Sequence, residues 1–306
     1  MRRPAFLIVL ALLAALLSAC GSGSGSDGSL PEVKGDYGSK PKITVAKGSK
    51  PSTSLESEVL VEGDGKEVAK GDLLVADYLG ATYRGTKTFD NSYDRGSPAA
   101  FTLKSGAGGV ISGWVKALSG ATVGSRVLLV APPKDGYGKA GNPQAGIKGT
   151  DSLVFVVDLI AAYGTKAPLP KSSPATDLAD GLPTVEGEAD PTLTVPEGTD
   201  LPKAPVTTIL SEGTGTEVAK GKLIVVQFTA VDWTGKVVSS TWKDGPRGVP
   251  VGAEGQPSPF DLLEGVPVGS RVLLQLPPPS RSDAAEENLA VVIDILGQHG
   301  PAKEKA

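Results

Sequence analysis

Residues 88–96 read TFDNSYDRG and bring two aromatic rings, two aspartates and an arginine close together. Such a cluster stands out, because only 5% of the 306 residues are Phe, Tyr or Trp. The run ends in Gly96 and Pro98 soon follows, which is typical of a strand that runs into a loop. Aromatic rings beside charged groups at a strand end favour a surface that combines apolar contact with polar anchoring.

Other kinds of catalytic chemistry find little support in the residue types. Cys20 is the only cysteine and His299 the only histidine, and we interpret His299 as a solvent-exposed residue of the tail. No GxSxG, HExxH or phosphate-binding glycine loop occurs. The sequence therefore predicts neither a metal site nor a bound cofactor. Lys and Arg number 30 against 34 Asp and Glu, with no basic stripe, so nucleic acid is not an expected partner.

Aromatic residues of the first half stand at the ends of expected elements. Plain core packing is the alternative to a binding role for each of them, since buried rings dominate small cores. For Phe101 core packing is favoured. For Tyr137, which stands between glycines in a long loop, a binding role is favoured. The full set is Tyr78, Phe89, Tyr93, Phe101, Trp114, Tyr137 and Phe155.

Residues 1–20 have the features of a bacterial lipoprotein signal. A basic start is followed by apolar residues 5–17, and residues 17–20, LSAC, match a lipobox. The apolar segment is shorter than the ~20 residues of a membrane-spanning helix. The alternative is a secretory signal with an incidental cysteine. We expect a lipid-modified Cys20 that anchors the protein to a membrane surface, followed by a flexible Gly/Ser tether.

The chain contains a long internal repeat. Residues 61–81, VEGDGKEVAKGDLLVADYLGA, resemble residues 211–231, SEGTGTEVAKGKLIVVQFTAV. Further on, VGSRVLL occurs at both 123–129 and 268–274. A solenoid repeat would have a period of roughly 20–50 residues, so this longer unit predicts a duplicated domain.

Each copy is predicted to be mostly β-structure. In the first copy, residues 73–79, 126–130 and 153–160 are rich in β-branched residues and are bounded by Gly or Pro. Residues 113–118, GWVKAL, carry apolar residues at helical spacing and predict one short helix. Several antiparallel strands around one short helix make each copy an α+β domain. Residues 166–191 are rich in Pro, Ala, Asp and Gly without apolar periodicity, which predicts a linker.

Six motifs of the first copy occur in the order ADYLG, TFDNSYDRG, VISGWVKAL, VGSRVLL, DGYGKAGNP and LVFVVDL. Together they resemble the FKBP, or macrolide-binding, family of peptidyl-prolyl isomerases, and the resemblance extends from Lys42 to Ala161. It implies an α+β fold of two FKBP-like half-barrels, one for each copy. Each half-barrel would be a curved antiparallel sheet wrapped around one short helix, with an apolar pocket between sheet and helix.

The resemblance implies a role for particular residues of the pocket. Asp90, Tyr137 and Trp114 are the implied catalytic residues, with Trp114 as the floor, Tyr137 as a hydroxyl donor and Asp90 held by Arg95. The backbone N–H of Ile111 resembles the donor to substrate in this family. The implied substrate-binding residues are Tyr78, Phe89, Arg95, Phe101, Val110, Ile111, Ile147 and Phe155.

The first copy departs from the family pattern at a few positions. Ala99 follows Pro98 where many members have an aromatic residue, so that wall of the pocket is thinner. Asn142 stands where some members have histidine. Residues 144–146 make the loop longer by about one residue, and Ile147 replaces its apolar lid. These departures bear on substrate preference.

The implied reaction explains why no nucleophile, base or metal is needed. An X–Pro bond isomerises slowly, over a barrier of roughly 18–20 kcal/mol that reflects lost amide resonance. The twisted amide is less polar than the planar one, so an apolar pocket that excludes water favours it. We expect Asp90 and Tyr137 to hold the twisted amide by polar contacts. Tyr93 and Asp94 are expected on the rim or in solvent.

The second copy keeps the strands and loses most of the pocket residues. Val238 and Ser239 stand in the places of Phe89 and Asp90, and the glycine-flanked tyrosine has no counterpart. The other replacements are Phe228 for Tyr78 and Pro259 or Phe260 for Trp114. We therefore expect the second site to be degenerate.

These features together predict the organisation of the chain. The expected segments are a lipoprotein signal peptide at 1–19, a lipidated Cys20 with a flexible tether at 20–40, an FKBP-like isomerase domain at 41–165, a linker at 166–191, a degenerate FKBP-like domain at 192–298 and a tail at 299–306.

The leading functional hypothesis is an extracytoplasmic peptidyl-prolyl cis-trans isomerase that is lipid-anchored to the bacterial cell membrane through Cys20. Its expected partners are proline-containing exported proteins, whose folding it assists, and macrolide inhibitors. The alternative is a non-catalytic module that binds proline-containing peptides or a partner protein through the same groove. A solute-binding lipoprotein fits the anchor but neither the domain size nor the pocket motifs.

Overall fold

The structure is a computed structural model that describes residues 30–278 and 287–302. The predicted signal peptide, Cys20 and the Gly/Ser tract lie outside the described residues. Within the described ranges, no helix has the length and apolar character needed to span a membrane.

The described chain consists mainly of strands and turns. The first copy and the hairpin before it contain β1 Glu32–Lys34, β2 Lys42–Thr44, β3 Glu56–Val61, β4 Leu73–Thr82, β5 Thr88–Asn91, β6 Ala99–Thr102, α1 Ser112–Leu118, β7 Arg126–Ala131 and β8 Leu153–Tyr163. The connecting segment and the second copy contain β9 Ser172–Pro174, β10 Thr184–Glu186, β11 Thr192–Thr194, β12 Val206–Gly213, β13 Leu223–Asp232, β14 Val237–Ser240, β15 Arg247–Pro250, β16 Arg271–Leu276 and β17 Leu289–His299.

Each copy forms its own antiparallel sheet, and the two sheets have equivalent strand orders. The first runs β3-β7-β8-β4-β5, with β6 also paired to β4. The second runs β14-β13-β17-β16-β12-β9, with β15 also paired to β13. Read from the opposite edge, β12, β16, β17, β13 and β14 take the places of β3, β7, β8, β4 and β5. The five equivalent strands therefore have the same order in the two sheets.

The predicted helix of the first copy is confirmed as α1, which buries Trp114, Val115 and Leu118 against the sheet. The second copy has no equivalent α-helix among its described residues, so the expectation of one helix in each copy is wrong. A five-residue 3-10 turn, Pro259–Leu263, stands there instead. Pro259 starts the turn, and Gly265 in the left-handed region (φ 83°) leads the chain away directly after it.

A hairpin outside each sheet is fixed by a buried ion pair. Arg126 binds both carboxylate oxygens of Asp158, at 2.6 and 2.7 Å, and donates to the carbonyls of Gly35 and Ser39 between β1 and β2. The fully buried guanidinium thus joins the sheet to the hairpin.

The second copy repeats this arrangement. Arg271 binds Asp294 at 2.7 and 2.8 Å and donates to the carbonyls of Gly187 and Glu188 between β10 and β11. Because β9 and β10 lie within 166–191, the predicted linker contains regular structure: β9 pairs with β12 and β10 with β11.

His299 is not the solvent-exposed tail residue that the sequence predicts. It is the last residue of β17, and its Nε2 lies 2.7 Å from the Tyr163 hydroxyl at the end of β8. Burial in this position lowers the pKa of the His299 imidazole. The prediction was based on the charged residues that follow His299 in the sequence. It was wrong because the hydrogen-bond partner of His299, Tyr163, comes from the other copy.

The two copies pack against each other through equivalent surfaces. Their contact is an apolar cluster of Leu73 and Val75 from β4 with Leu223 and Val225 from β13, together with Leu296. A side chain on Gly248 would clash there, since its Cβ would lie 2.3 Å from that of Ala100. Equivalent residues of β4 and β13 thus meet in this contact.

The buried ion pair gives a testable stability effect. In Arg126→Met, the buried Asp158 loses its cationic partner and the hydrogen bonds of the guanidinium, so the free energy of unfolding should fall by about 3–5 kcal/mol. Guanidinium denaturation measures the change. Lys34→Met is the control, because the Lys34–Glu32 pair is exposed and should contribute about 1 kcal/mol or less. Equal losses in the two variants would contradict a structural role for the buried pair.

Candidate active site

An apolar pocket of about 460 Å³ lies between the first sheet and α1. Most of the predicted site residues converge on it. The lining includes the predicted residues Tyr78, Phe89, Asp90, Phe101, Val110, Ile111, Trp114, Tyr137 and Phe155. Ser105, Gly106, Gly109, Ser112 and Gly136 line it as well, and the sequence did not mark them because small residues carry little chemical signal.

Trp114 forms the centre of an aromatic cluster. Its ring centroid lies 5.6 Å from Tyr78, 5.1 Å from Phe101 and 5.5 Å from Phe155, each in edge-to-face geometry. Phe89 meets Phe155 in the same way at 5.6 Å. Such pairs contribute about 0.5–1.5 kcal/mol each beyond their burial, so the cluster stabilises the apolar wall of the pocket.

The pocket-lining rings come from different elements that the sheet brings together. Along β4 the alternation of side chains turns Leu74, Ala76 and Tyr78 to the core face. Register then fixes the neighbours, since Gly80 of β4 lies opposite both Asp90 of β5 and Phe155 of β8. The sites of the rings thus depend on strand pairing between distant segments.

Gly80 makes room for two of these rings. A Cβ at this position would lie 2.8 Å from Phe155 Cε1 and 2.8 Å from Phe89 Cε2. At the equivalent place in the second copy, opposite Ser239, stands Ala230, which is buried in its core. Neither ring is present in the second copy, because Val238 stands in the place of Phe89 and Val291 in the place of Phe155. The sequence prediction missed Gly80, although the motif ADYLG contains it.

A polar rim borders the rings. The Tyr78 hydroxyl donates a short hydrogen bond to Asp90 Oδ2, and Arg95 donates to Asp90 Oδ1 at 2.6 Å and to the Tyr78 hydroxyl at 3.0 Å. Burial, and then the bond to Asp90, raise the pKa of Tyr78 to about 12, so the hydroxyl remains a donor at neutral pH. The Asp90–Arg95 pair is nearly half exposed, so it fixes geometry more than it stabilises the fold.

Tyr93 is not a rim or solvent residue, contrary to the expectation from sequence. Its hydroxyl donates to Asp158 Oδ2 at 2.9 Å, and burial raises its pKa strongly. Asp94 next to it is exposed and accepts from Lys40 at 2.7 Å. Tyr93 therefore anchors the 3-10 turn Tyr93–Arg95 to the buried Asp158, while Arg95 of the same turn contacts Asp90 and Tyr78 at the rim.

The long loop after β7 carries Tyr137 to the mouth of the pocket. Buried Asp135 ties this loop to α1 by accepting from Lys116 Nζ at 2.5 Å and Ser112 Oγ at 3.2 Å. Tyr137 itself is 39% exposed. Asn142 caps the 3-10 turn Pro143–Ala145 of the same loop.

Ile147 does not line the pocket. It is 3% exposed and packs in the core of the first copy, where it anchors the long loop. The expectation that it forms an apolar lid over the substrate is therefore wrong, because the turn after Asn142 directs it inward. Among the described residues, no group of His, Cys, Asp and Glu has an arrangement that could hold a metal ion.

Known proteins resemble the first copy of this chain. The model of the FKBP-type peptidyl-prolyl cis-trans isomerase family matches residues 65–160. The FK506-binding protein of Streptomyces anulatus is 39% identical over 100 residues, which cover 33% of this chain and 79% of that protein. This chain belongs to the FKBP family of peptidyl-prolyl cis-trans isomerases. The probable FK506-binding protein of Corynebacterium glutamicum is 36% identical over 108 residues, covering 35% of this chain and 84% of that protein.

Other FKBP relatives are longer than the matching region. The isomerase FkpA of Escherichia coli K12 is 42% identical over 109 residues, but these cover only 36% of this chain and 38% of FkpA. The crystal structure of Escherichia coli FkpA aligns with a TM-score of 0.33 at 42% identity, over 38% of this chain and 52% of that one.

The packing of Gly80 predicts a specific effect on the FKBP pocket. Gly80→Ala must displace Phe89 or Phe155, an overpacking that costs about 1–3 kcal/mol. We expect kcat/KM for a short proline peptide to fall about tenfold, which corresponds to ~1.4 kcal/mol. The matched control is Ala230→Gly in the second copy, which should leave turnover unchanged. A Gly80→Ala variant with wild-type turnover would show that the two rings are not needed in these positions.

Proposed function

We propose that this protein is a peptidyl-prolyl cis-trans isomerase with its active site in the first copy. The observation that carries the proposal is the pocket itself, in which five edge-to-face rings meet one carboxylate held by Tyr78 and Arg95. An X–Pro segment that enters this pocket leaves water. The planar amide loses more solvation than the twisted amide, so the barrier falls.

In this mechanism the polar rim orients the Asp90 carboxylate toward the substrate amide. Both oxygens of Asp90 are fixed, one by the Tyr78 hydroxyl and the other by Arg95. The carboxylate therefore meets the strained amide without reorganising, as preorganised electrostatic groups do. Tyr137 at the mouth supplies a hydroxyl donor and Ile111, the residue before α1, a backbone N–H donor. Trp114 forms the floor on which the proline ring rests.

We infer that the second copy is a half-barrel of the same kind with a degenerate site. Its strand order and the pairing of Ala230 with Ser239 support this inference. Phe228 and Phe260 are still neighbours, at 5.8 Å, but no carboxylate stands at Ser239 and no ring at Val238. An apolar site without its polar anchor should turn over poorly.

A peptide assay on the whole chain tests the assignment. We expect isomerisation of a short proline peptide that a macrolide blocks. Trp114→Ala and Asp90→Asn should each lower kcat/KM at least tenfold, about 1.4 kcal/mol of lost transition-state stabilisation. Asp94→Asn is the control, since this exposed carboxylate lies on the same turn and contacts Lys40 rather than the pocket.

Several outcomes would contradict the assignment. Peptide binding without turnover would favour the non-catalytic module instead. Full turnover in the double variant Asp90→Asn/Trp114→Ala would show that the activity lies in the second copy.

We further propose that the protein is extracytoplasmic, anchored to the cell membrane by lipid on Cys20, and that its substrates are proline-containing exported proteins. The support is the LSAC motif after an apolar segment. Fatty-acid labelling of the expressed protein should be lost in Cys20→Ser, which should also move the protein from the membrane to the soluble fraction. Equal labelling of the two forms would exclude this anchor.

A further inference from the structure

The end of the second copy contacts the first copy directly behind its pocket. Beyond β17 the chain crosses to the outer face of β4, where the Ala302 backbone N–H donates to Asp77 Oδ2 at 2.6 Å. Asp77 is fully buried and Ala302 is 8% exposed. This contact joins residues that are 225 positions apart in the sequence.

Asp77 connects this contact to the rim through Ser92. The Ser92 hydroxyl donates to Asp77 Oδ1 at 2.6 Å and accepts from the Tyr78 N–H at 2.9 Å. The backbone of Ser92 also accepts from the Arg95 N–H and donates to the Tyr78 carbonyl, both at 3.0 Å. Ser92 is fully buried, so no solvent competes for these bonds. The two residues that hold Asp90 are thus both tied to Ser92.

Asp77 depends on neutral donors. Within the described residues, none of the ion pairs includes Asp77, whereas the neighbouring buried carboxylate of Asp158 is paired with Arg126. A buried carboxylate oxygen without a hydrogen bond is costly. If the end of the second copy left the surface, Oδ2 would lose the Ala302 N–H. The carboxylate would then turn toward water or toward Ser92, and the rim would shift with it.

The second copy contains the reciprocal contact. Gln227, at the place of Asp77, accepts from Thr241 at 3.2 Å and donates to the Thr165 carbonyl, which follows β8, at 3.2 Å. In each copy, the residue at this position of the central strand therefore binds the backbone of the segment that follows the last strand of the other copy. The chemistry differs in a complementary way, because Asp77 accepts from an N–H and Gln227 donates to a carbonyl. In the second copy the corresponding hydrogen bonds run from Gln227 through Thr241 to Phe228, whose ring has no hydroxyl that could contact a carboxylate.

We propose that Asp77 is a positioning residue through which the docked second copy holds the active-site rim of the first. The degenerate copy would then serve the reaction without touching the substrate. The proposal rests on the isomerase function for its kinetic consequence, but the coupling of Ala302 to the rim is a property of the fold and can be measured without turnover.

Two variants of the whole chain test the coupling from opposite ends. Asp77→Asn keeps the shape of the side chain but replaces one acceptor oxygen by an amide NH₂ group. Gly248→Val leaves Asp77, Ser92 and Ala302 unchanged and pushes the two copies apart at Ala100. Ser239→Val is the control, since it places the same side chain at an exposed strand position of the second copy that is not part of the apolar cluster between the copies.

Three measurements apply to every variant: amide exchange of Ala302 and the Arg95 side-chain signal, both by NMR, and the kcat and KM for a proline peptide. In Gly248→Val and in Asp77→Asn we expect at least tenfold faster Ala302 exchange, a shifted Arg95 signal and a threefold or larger fall in kcat with little change in KM. KM should change little because the rings remain in place. The control should match the wild type in all three.

The proposal is overturned if Ala302 exchange accelerates while the Arg95 signal and kcat stay at wild-type values. Unchanged Ala302 exchange in Gly248→Val would overturn the docking contact itself. If Asp77→Asn does not fold, Gly248→Val alone decides between these results. An inactive wild-type protein would refute the isomerase function, yet the Arg95 signal would still report whether the second copy positions the rim.

Discussion

The structure depends on the burial of both faces of β4. One face, with Leu74 and Tyr78, meets α1 and forms the wall of the pocket, while the other, with Leu73 and Val75, meets the second copy. Because side chains alternate along a strand, the pocket and the contact between the copies are set by neighbouring residues. A displacement of β4 would change both at once, so the rim and the docked copy are mechanically linked.

Comparison of the two copies separates what holds the fold from what serves the chemistry. Both contain a buried arginine–aspartate pair that binds the carbonyls of a hairpin, Arg126 with Asp158 and Arg271 with Asp294. A buried pair of this kind is costly to break, so it suits a structural role. The pocket residues differ between the copies, and so does the small residue at Gly80. The chain thus carries its own internal control for the function of the pocket.

The sequence predicted elements whose signals are local. The spacing of apolar residues at 113–118 identified α1, and the repeated segments identified the second sheet. It failed where a distant partner decides the outcome. Tyr93 turns inward because its hydroxyl donates a hydrogen bond to Asp158 of β8. His299 lies against the other copy because its imidazole forms a hydrogen bond with the Tyr163 hydroxyl. Asp158 is 65 residues from Tyr93 and Tyr163 is 136 residues from His299, and sequence spacing does not reveal partners at such separations.

The sequence by itself determined the repeat, the strands and the aromatic and charged residues available to a pocket, since these follow from residue type and local periodicity. Only the tertiary structure decided which of those residues meet. Ile147 became core, Gly80 became the space for two rings, and Asp77 became the link between the copies. The physical reason is that strand register and docking are set by contacts between segments far apart in the chain, and single-residue patterns do not encode them.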